Sequence, residues 1–304
     1  MSEPSGADVL ITGGSGQVGR ELLAARLPPS WRLHAPTRAA LDLANPEALA
    51  AAVAEERWAA VINAGAYTAV DRAESDSTAA WTVNAAGPRA LAAATAGAGI
   101  PLIQVSTDYV FAGDKPQPYL ESDAVGPLNV YGASKLGGEI ALAALNPRHV
   151  ILRTAWVVSR HGANFVKTML RLGSERRLLR VVADQHGAPT AARDIAAALI
   201  AVAERMIADP DGASGVYHFA NAGETTWCEL ARFVFAQAAR VGREPPRVEA
   251  IATADYPTPA RRPANSRLAT GRIQRDFGLT PRPWREAVAE VVAELVTSRC
   301  SHGR

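Results

Sequence analysis

Cysteine, net charge and long apolar runs are all scarce in this chain of 304 residues. The two cysteines, Cys228 and Cys300, are far apart in sequence, which excludes a disulfide framework and a cysteine-based metal site. The formal net charge of +2 predicts no general affinity for nucleic acid or for an anionic membrane. Apolar runs such as Ala90–Ala98 are rich in alanine and too short to cross a bilayer.

The N-terminal sequence shows no targeting signal. Residues 1–8 lack the charged region and the apolar core of a signal peptide, so we expect a cytoplasmic location. The composition, 48% hydrophobic and 20% charged, is typical of a globular protein. A chain of this length forms one large domain or two modest domains with a substantial core.

A glycine-rich loop follows the first predicted strand. The apolar run Val9–Thr12 stops at Gly13–Gly19, and a helical pattern of leucines follows. Glycine permits the tight turn, lets backbone N–H groups approach a pyrophosphate, and allows the helix to pack closely on the strand. The loop therefore predicts a dinucleotide-binding site, with a merely structural turn as the alternative.

The second predicted strand, Arg32–Ala35, bears on the choice of cofactor. No carboxylate follows it to bind the ribose 2′-hydroxyl of NAD. Arg38 suits a 2′-phosphate instead and favours NADPH over NADH, unless it is a solvated loop arginine. Asp42 is either an adenine-side contact or a turn residue.

Strands and helices then alternate regularly. Further strands are predicted at Ala60–Asn63, Pro101–Thr107 and Val150–Thr154. This pattern indicates an α/β fold with a Rossmann-like, doubly wound parallel sheet. The small residues Ala64–Ala66, which follow the strand Ala60–Asn63, would let a flat cofactor lie against the backbone.

Beyond residue 155 the alternation loosens. We predict a dinucleotide-binding domain over residues 1–155, to which parts of residues 185–220 return, including a strand at Val216–Phe219. Residues 156–304 would mainly form a smaller C-terminal α/β substrate domain.

The chemistry is predicted from Tyr131 and Lys135, four residues apart on one face of a predicted helix. A nearby ammonium group favours the phenolate and lowers the pKa of a tyrosine toward neutrality. An ordinary surface pair is the alternative. Hydroxyl groups at the end of the fourth strand, Ser106 and Thr107, would face the same crevice.

These signals together resemble the extended short-chain dehydrogenase/reductase family, whose members carry a TGxxGxxG loop and a Ser/Thr–Tyr–Lys triad. Thr12–Gly19 follows that loop pattern. Further stretches are similar to the dTDP-4-dehydrorhamnose reductases of this family: Gly16–Gly19, Thr68–Asp71, Ser106–Phe111, Pro127–Gly132, Arg153–Val157, Asp184–Thr190 and Tyr256–Leu268.

The resemblance implies hydride transfer from NADPH or NADH to the C4 ketone of a dTDP-linked 4-keto-6-deoxy-L-sugar. Tyr131 would be the general acid, Lys135 would lower its pKa and bind the nicotinamide ribose, and Thr107 would polarise the ketone. The residues implied at the cofactor are Gly13, Gly16, Gln17, Val18, Gly19, Arg38, Asp42, Leu43, Ala64, Gly65, Ala66, Tyr131 and Lys135. Those implied at the substrate are Thr107, Asp108, Trp156, Arg261 and Arg262.

The resemblance leaves a metal and a homodimer open. Some members dimerise around Mg²⁺ held by glutamates, and Glu21 and Glu294 match that role. Arg193 and Asp194 stand where another glutamate would be sought. We therefore assign no metal ligands to this chain.

Two alternative functions remain at this point. The regulatory subunit of methionine adenosyltransferase resembles these reductases but acts as a non-catalytic binding module. A nucleotide-sugar epimerase or dehydratase of the same fold is the second alternative. Several other residues receive ordinary structural roles: Asp71, Glu74 and Asp76 in solubility, Trp227 and Trp284 in the core, and His186 and His218 in the framework. For His186 a substrate-side contact is the alternative. Arg267 lies either beside the diphosphate or as a structural residue of its loop.

Overall fold

The computed structural model of the chain describes residues 6–300, with side chains described to residue 297. Its strands are β1 (Asp8–Thr12), β2 (Arg32–His34), β3 (Ala60–Asn63), β4 (Leu102–Thr107), β5 (His149–Thr154), β6 (Val157–Val158), β7 (Leu178–Val182), β8 (His186–Gly187), β9 (Thr190–Ala191), β10 (Gly215–His218), β11 (Thr225–Thr226) and β12 (Arg247–Ile251). Its helices are α1 (Gln17–Ala24), α2 (Pro46–Glu55), α3 (Val70–Ala73), α4 (Ser77–Trp81), α5 (Gly87–Gly97), α6 (Val130–Leu145), α7 (Phe165–Glu175), α8 (Ala192–Ala208), α9 (Trp227–Ala239), α10 (Gly271–Phe277) and α11 (Trp284–Cys300).

A parallel sheet in the order β10-β5-β4-β3-β1-β2 forms the centre of the fold. The predicted Rossmann-like, doubly wound α/β fold is confirmed. The chain order reverses at β1, which has β2 on one side and β3 on the other. Ligands of such sheets bind outside the carboxyl ends of the strands at this reversal. Thr12, Asn63 and Thr107 end the strands at that edge.

Helices cover both faces of the sheet because successive strand residues point to opposite sides. On one face Ile103 packs with Leu22 of α1 and Leu199 of α8. On the other face its neighbour Leu102 packs with Leu142 of α6 and with residues of α2 and α5. Burial on both faces explains why the inner strands β1, β3, β4 and β5 are largely apolar before their last residues.

The C-terminal part of the chain has a second apolar core. β7 and β12 pair in parallel, and α7, α9 and α11 pack together around Val166, Val234 and Val288. Trp284 is 3% exposed there, which confirms its predicted core position. Strand β10 pairs with β5, so this later segment joins the first sheet. The domain division of residues 1–155 and 156–304 stays a prediction.

Cys228 is a free, buried cysteine within that second core. The side chain of Cys300 lies outside the described residues. In the described part of the chain, no helix has the length and apolar character needed to cross a membrane.

The sequence predicts an alanine-rich helix from about Thr78 to Gly97, and the chain is helical throughout this range. The helix is not uniform, because a π-helical turn at Thr82–Ala86 joins α4 to α5. Such turns often mark sites where a side chain must be re-aimed. Here Asn84 accepts a hydrogen bond from the N–H of Tyr67 (2.8 Å) and donates to the carbonyl of Tyr67 (3.0 Å) and to Ser134 (3.0 Å). The turn thus ties the loop after β3 to α6.

A charged cluster joins α1, α8 and α11. The carboxylate of Glu21 is 5% exposed, and its cationic neighbours are Arg193 at 3.8 Å and Arg160 at 4.0 Å. The ring of His161 lies 3.5 Å away, and burial lowers the pKa of this histidine. The guanidinium of Arg193 also pairs with Glu294 and lies 3.7 Å from Glu290. Arginine is therefore the cation shared by these three glutamates.

This arrangement does not fit the Mg²⁺ that the resemblance left open. Arg193 occupies the space between the carboxylates, and Asp194 turns away to pair with Arg282 at 2.9 Å. Within residues 6–297 no group of three or more histidine, cysteine, aspartate or glutamate side chains is placed to hold a metal.

We expect Arg193→Met to lower the free energy of unfolding by about 1–3 kcal/mol, because it leaves the buried Glu21 with fewer counter-charges. Urea denaturation measures this difference. The control is Arg171→Met, which removes an exposed pair with Glu175 and should cost about 0.5 kcal/mol or less. A fall in the melting temperature of the wild-type protein after dialysis against EDTA would contradict the arginine-centred cluster.

Candidate active site

The loop between β1 and α1 is fixed by a close backbone approach. Gly13 has a φ of 77°, and a Cβ atom there would lie 2.3 Å from the backbone N of Gly65. Only glycine fits, so the loops after β1 and β3 lie against each other. The first helical residue, Gln17, follows Gly16, which provides no side-chain cap. The first amides of α1 are thus left for an anionic ligand.

Several of the residues predicted at the cofactor lie around this contact between the loops after β1 and β3. Gly16 and Arg38 are exposed, whereas the others are half-buried (Gly13, Gln17, Asp42, Ala64, Gly65, Ala66) or buried (Val18, Gly19, Leu43). Leu43 packs against Gly65, which brings the segment after β2 to the same edge. Arg38 extends into solvent, and its Nε lies 3.4 Å from Asp42. Asp42 also accepts a hydrogen bond from the N–H of Ala44, which lowers its pKa.

Gln17 has a role that the sequence did not reveal. Its side-chain oxygen accepts hydrogen bonds from Ser159 (3.0 Å) and from Asn164 (2.9 Å), in the segment between β6 and α7. A segment from the second half of the chain thus fixes the first turn of α1. The partners lie 142 and 147 residues from Gln17, so no local pattern predicts the contact.

A buried polar ladder crosses the carboxyl ends of three strands. Thr12 donates to Asn63 (2.6 Å), Asn63 donates to Gln104 (2.7 Å), and Gln104 donates to the carbonyl of Val105 (2.9 Å). Polar side chains inside otherwise apolar strands are the sequence signal for such a ladder. The same Val105 carbonyl accepts a hydrogen bond from Lys135, so the ladder extends to α6.

The end of β4 presents Thr107 and Asp108. The hydroxyl of Thr107 donates to Asp108 (3.0 Å) and accepts from the N–H of Tyr109 (3.2 Å). Both side chains are buried. Burial raises the pKa of Asp108 to about 6, against the opposing hydrogen bonds from Ser266 and Thr107. Its Oδ2 atom is buried without a hydrogen-bond partner among the described residues.

The start of α6 is positioned by two local features of its sequence. Asn129 caps the helix by accepting a hydrogen bond from the N–H of Gly132 at 2.8 Å. A Cβ atom on Gly132 would lie 2.2 Å from the carbonyl oxygen of Tyr109, so glycine allows α6 to reach the loop after β4. The ring of Tyr131 then packs edge-on against Tyr109, with centroids 5.6 Å apart.

Tyr131, Thr107 and Lys135 are brought together as predicted, but their electrostatics differ from the expectation. Burial raises the pKa of Tyr131, and a hydrogen bond with Thr107 acts in the opposite direction. The pKa of Tyr131 thus lies above its usual value, and the lowering expected from the ammonium group of Lys135 stays a prediction. The Nζ of Lys135 donates to the carbonyl of Val105 at 2.7 Å, and burial lowers the pKa of Lys135 to about 8.

Trp156 lies at the junction with the second core. It is 9% exposed, has a φ of 47°, and stacks on Trp227 with ring centroids 3.5 Å apart. The backbone of Gly187 packs directly on the ring of Trp156: a Cβ atom on residue 187 would lie only 2.4 Å from that ring. Trp227 is therefore more than a core residue: its indole N–H also donates to Gln185 at 3.1 Å. This links the Asp184–Thr190 stretch to Trp156.

The basic stretch near residue 261 is divided between two roles. Arg262 is bonded to Asp71, with its nearest contact at 2.7 Å, and to Thr258. Arg267 pairs with Glu224 and bonds to Asn265. The exposed guanidinium of Arg261 has no partner among the described residues. Two of the three arginines thus hold the loop itself.

The assignment of nearby acidic residues to solubility alone is wrong. Asp71 binds Arg262, and its pKa is lowered chiefly by that hydrogen bond. Glu74 accepts the N–H of Val130 at the start of α6 (2.9 Å), and Asp76 accepts the hydroxyl of Tyr67 (3.0 Å). All three acidic side chains therefore support the segments that carry the candidate site.

The two histidines lie at structural positions. The backbone of exposed His186 exchanges hydrogen bonds with Ala264 and Ser266. His218 is buried, with its Nδ1 atom 3.1 Å from the carbonyl oxygen of Tyr119. Burial lowers the pKa of His218 to about 3, so the ring is neutral.

Comparison with known proteins identifies the family. A family model described as the RmlD substrate binding domain matches residues 7–297. The dTDP-4-dehydrorhamnose reductase of Sinorhizobium fredii is 44% identical over 287 residues, which cover 94% of this chain and 97% of the relative. That of Escherichia coli strain K12 is 42% identical, with 96% and 99% covered.

A solved structure shows the same likeness. The dTDP-4-dehydrorhamnose reductase from Bacillus anthracis, in complex with NADP, superimposes with a TM-score of 0.88 at 34% identity. The match covers 95% of this chain and 99% of that structure. The resemblance drawn from the sequence motifs is therefore confirmed, and the chain belongs to the dTDP-4-dehydrorhamnose reductase family.

Proposed function

We propose that the chain reduces the C4 ketone of dTDP-4-dehydro-β-L-rhamnose to dTDP-β-L-rhamnose, with NAD(P)H as the hydride donor. This is the final step of dTDP-L-rhamnose synthesis. The observation that carries the proposal is the meeting, beside the glycine loop, of Thr107 at the end of β4, Tyr131 in the first turn of α6 and the buried Lys135, whose Nζ donates to the carbonyl of Val105. We infer the substrate from the relatives that match over nearly their whole length, which are dTDP-4-dehydrorhamnose reductases.

The residues at the crevice fit a dinucleotide. The Gly13 turn, the first amides of α1 and the small residues of Ala64–Ala66 offer backbone surface to a pyrophosphate and a flat ring. When bound, the cofactor supplies the hydride. Arg38 after β2 suits a 2′-phosphate, and the Bacillus anthracis relative was crystallised with NADP. We therefore assign NADPH as the preferred cofactor.

Tyr131 acts as the general acid. Reduction of a ketone adds a hydride to carbon and leaves an alkoxide, which needs one proton. Because burial raises the pKa of Tyr131, its phenol is protonated at neutral pH and able to donate. The hydroxyl of Thr107, which donates to Asp108 in this structure, would polarise the ketone oxygen when the substrate is bound.

Lys135 supplies positive charge beside this acid. Its ammonium group is buried and anchored to the carbonyl of Val105, on the strand that carries Thr107. A fixed cation in a buried site stabilises the phenolate that remains once Tyr131 has donated its proton. We also assign to Lys135 a bond to the nicotinamide ribose.

The substrate contacts follow from the surroundings of these groups. Asp108 has an unpartnered oxygen to offer a sugar hydroxyl, and Trp156 borders the sugar. Arg262 is committed to Asp71, whereas Arg261 has an unpaired guanidinium. We therefore assign the contact with the diphosphate to Arg261. Arg262 supports this contact by holding the loop in place.

The alternatives are separated by cofactor behaviour. An epimerase retains its NAD through each cycle, whereas a reductase must exchange it, so tightly held cofactor absorbance after purification would favour the epimerase. A regulatory module would bind methionine adenosyltransferase tightly and oxidise no NADPH. The cytoplasmic location and the possible homodimer stay predictions from the sequence.

We expect Tyr131→Phe to lower kcat by about 10²–10⁴-fold, because the variant has no phenolic proton to donate. The Kd for NADPH, measured by fluorescence titration, should be unchanged. Tyr109→Phe is the matched control, since it deletes a hydroxyl from the ring that packs on Tyr131. Near-normal turnover in Tyr131→Phe, or equal losses in both variants, would contradict the assignment of the acid.

We expect Arg38→Ala to raise the Kd for NADPH by about 10–100-fold and to leave the Kd for NADH almost unchanged, because a charge-assisted bond to phosphate contributes about 1.5–3 kcal/mol. Titration with each cofactor measures the difference. Arg57→Ala, which removes another exposed arginine, is the control. Equal changes for both cofactors would remove the case for a 2′-phosphate contact at Arg38.

A further inference from the structure

A buried ion pair lies behind the candidate site. Arg153 on β5 donates to both carboxylate oxygens of Glu139 on α6, with contacts of 2.6, 3.0 and 3.2 Å. The two side chains are only 5% and 4% exposed. Two charges are costly to bury, and a bidentate geometry offsets much of that cost. Simple helix-to-sheet packing would be achieved by apolar residues, so the pair invites a functional explanation.

Arg153 is held in place from several sides. In the sheet register it lies between Ser106 on β4 and His218 on β10. Its guanidinium also lies over the ring of Phe111, 5.0 Å from the centroid. The arginine is thereby fixed, and it fixes the carboxylate of Glu139 in turn.

Glu139 is one helical turn beyond Lys135. Residues four apart on a helix share a face, so the carboxylate and the ammonium group lie on the side of α6 that meets the sheet. The hydrogen bond of Lys135 goes to the neutral carbonyl of Val105. Glu139 directs its own hydrogen bonds to Arg153 and acts on Lys135 through the electric field of its charge.

We propose that Glu139 is a positioning residue for Lys135: its carboxylate, fixed by Arg153, keeps the buried ammonium group charged at the end of β4. This inference rests on the proposed function for the part that Lys135 plays in turnover. The charged or titratable groups on the surrounding elements include Tyr131 and Glu139 on α6, Asp108 and Tyr109 after β4, Arg153 on β5 and His218 on β10. Among them, Glu139 is the negatively charged group four residues from Lys135 on the same helix face, and its charge opposes the effect of burial on the pKa of Lys135.

The sign of the effect follows from this balance. Burial lowers the pKa of Lys135 to about 8, and the negative charge of Glu139 opposes that fall. Glu139→Gln removes the negative charge and leaves Arg153 positive, so Lys135 should lose its proton at a lower pH. Arg153→Met leaves Glu139 negative and unpaired, so Lys135 should hold its proton to a higher pH.

The lysine can be observed directly because the chain contains only Lys115, Lys135 and Lys167. Protein labelled with ¹³C at lysine Cε should give three side-chain NMR signals, and the Lys135 signal is assigned by its loss in Lys135→Arg. Its pH titration is followed in the full-length protein without substrate. The pH dependence of kcat/KM is measured on the same variants.

We expect Glu139→Gln to move the Lys135 titration midpoint and the alkaline limb of kcat/KM down together by about one pH unit. Arg153→Met should move both upward. Glu139→Asp, which keeps the charge, should restore the wild-type midpoint. A merely structural pair would reduce activity in both single variants without moving the midpoint, and that result would overturn the proposal.

If a single variant fails to fold, the double variant Glu139→Gln/Arg153→Met is titrated instead, because it leaves no unpaired charge. Its Lys135 midpoint should lie between that of the wild type and the lower midpoint expected for Glu139→Gln. A midpoint at or above the wild type in that double variant would also overturn the proposal. If the wild type does not reduce the sugar nucleotide, the proposed function fails, while the NMR titration still decides whether Glu139 acts on Lys135.

Discussion

The buried ammonium group of Lys135 is the constraint on which the rest of the site depends. A charge taken out of water is costly unless its surroundings compensate, and here the carbonyl of Val105 accepts its hydrogen bond at 2.7 Å. That bond requires α6 to lie close to the end of β4. The Asn129 cap and the contact of Gly132 with the Tyr109 carbonyl provide this approach. Tyr131 is placed beside Thr107 as a consequence.

The same edge of the sheet connects the cofactor side to the catalytic side. The Val105 carbonyl is also the last acceptor of the ladder that begins at Thr12, directly before the glycine loop. Gly13 and Gly65 bring the loops after β1 and β3 into contact across that edge. A disturbance of the dinucleotide loop therefore reaches the lysine through hydrogen bonds and not only through bulk packing.

Local patterns explain how much could be predicted from the sequence. Val9–Gly19 and the spacing of Tyr131 and Lys135 specify geometry over a few residues, so the strand, the loop and the shared helix face follow from them. The hydrogen-bond partners of side chains do not follow from local patterns. Asp71 and Arg262, for example, lie 191 residues apart in the sequence. The sequence also does not predict the raised pKa of Tyr131, because the burial that raises it depends on the whole fold.

The most direct test is reduction of the dTDP-linked 4-keto-6-deoxy-L-sugar by NADPH that carries deuterium at the transferred position of its nicotinamide. Mass spectrometry and NMR of the product locate the label. The account predicts one deuterium at C4 of the rhamnosyl group, with one NADPH consumed for each sugar reduced. A protein that binds NADPH and the sugar nucleotide but forms no labelled product would contradict the central claim.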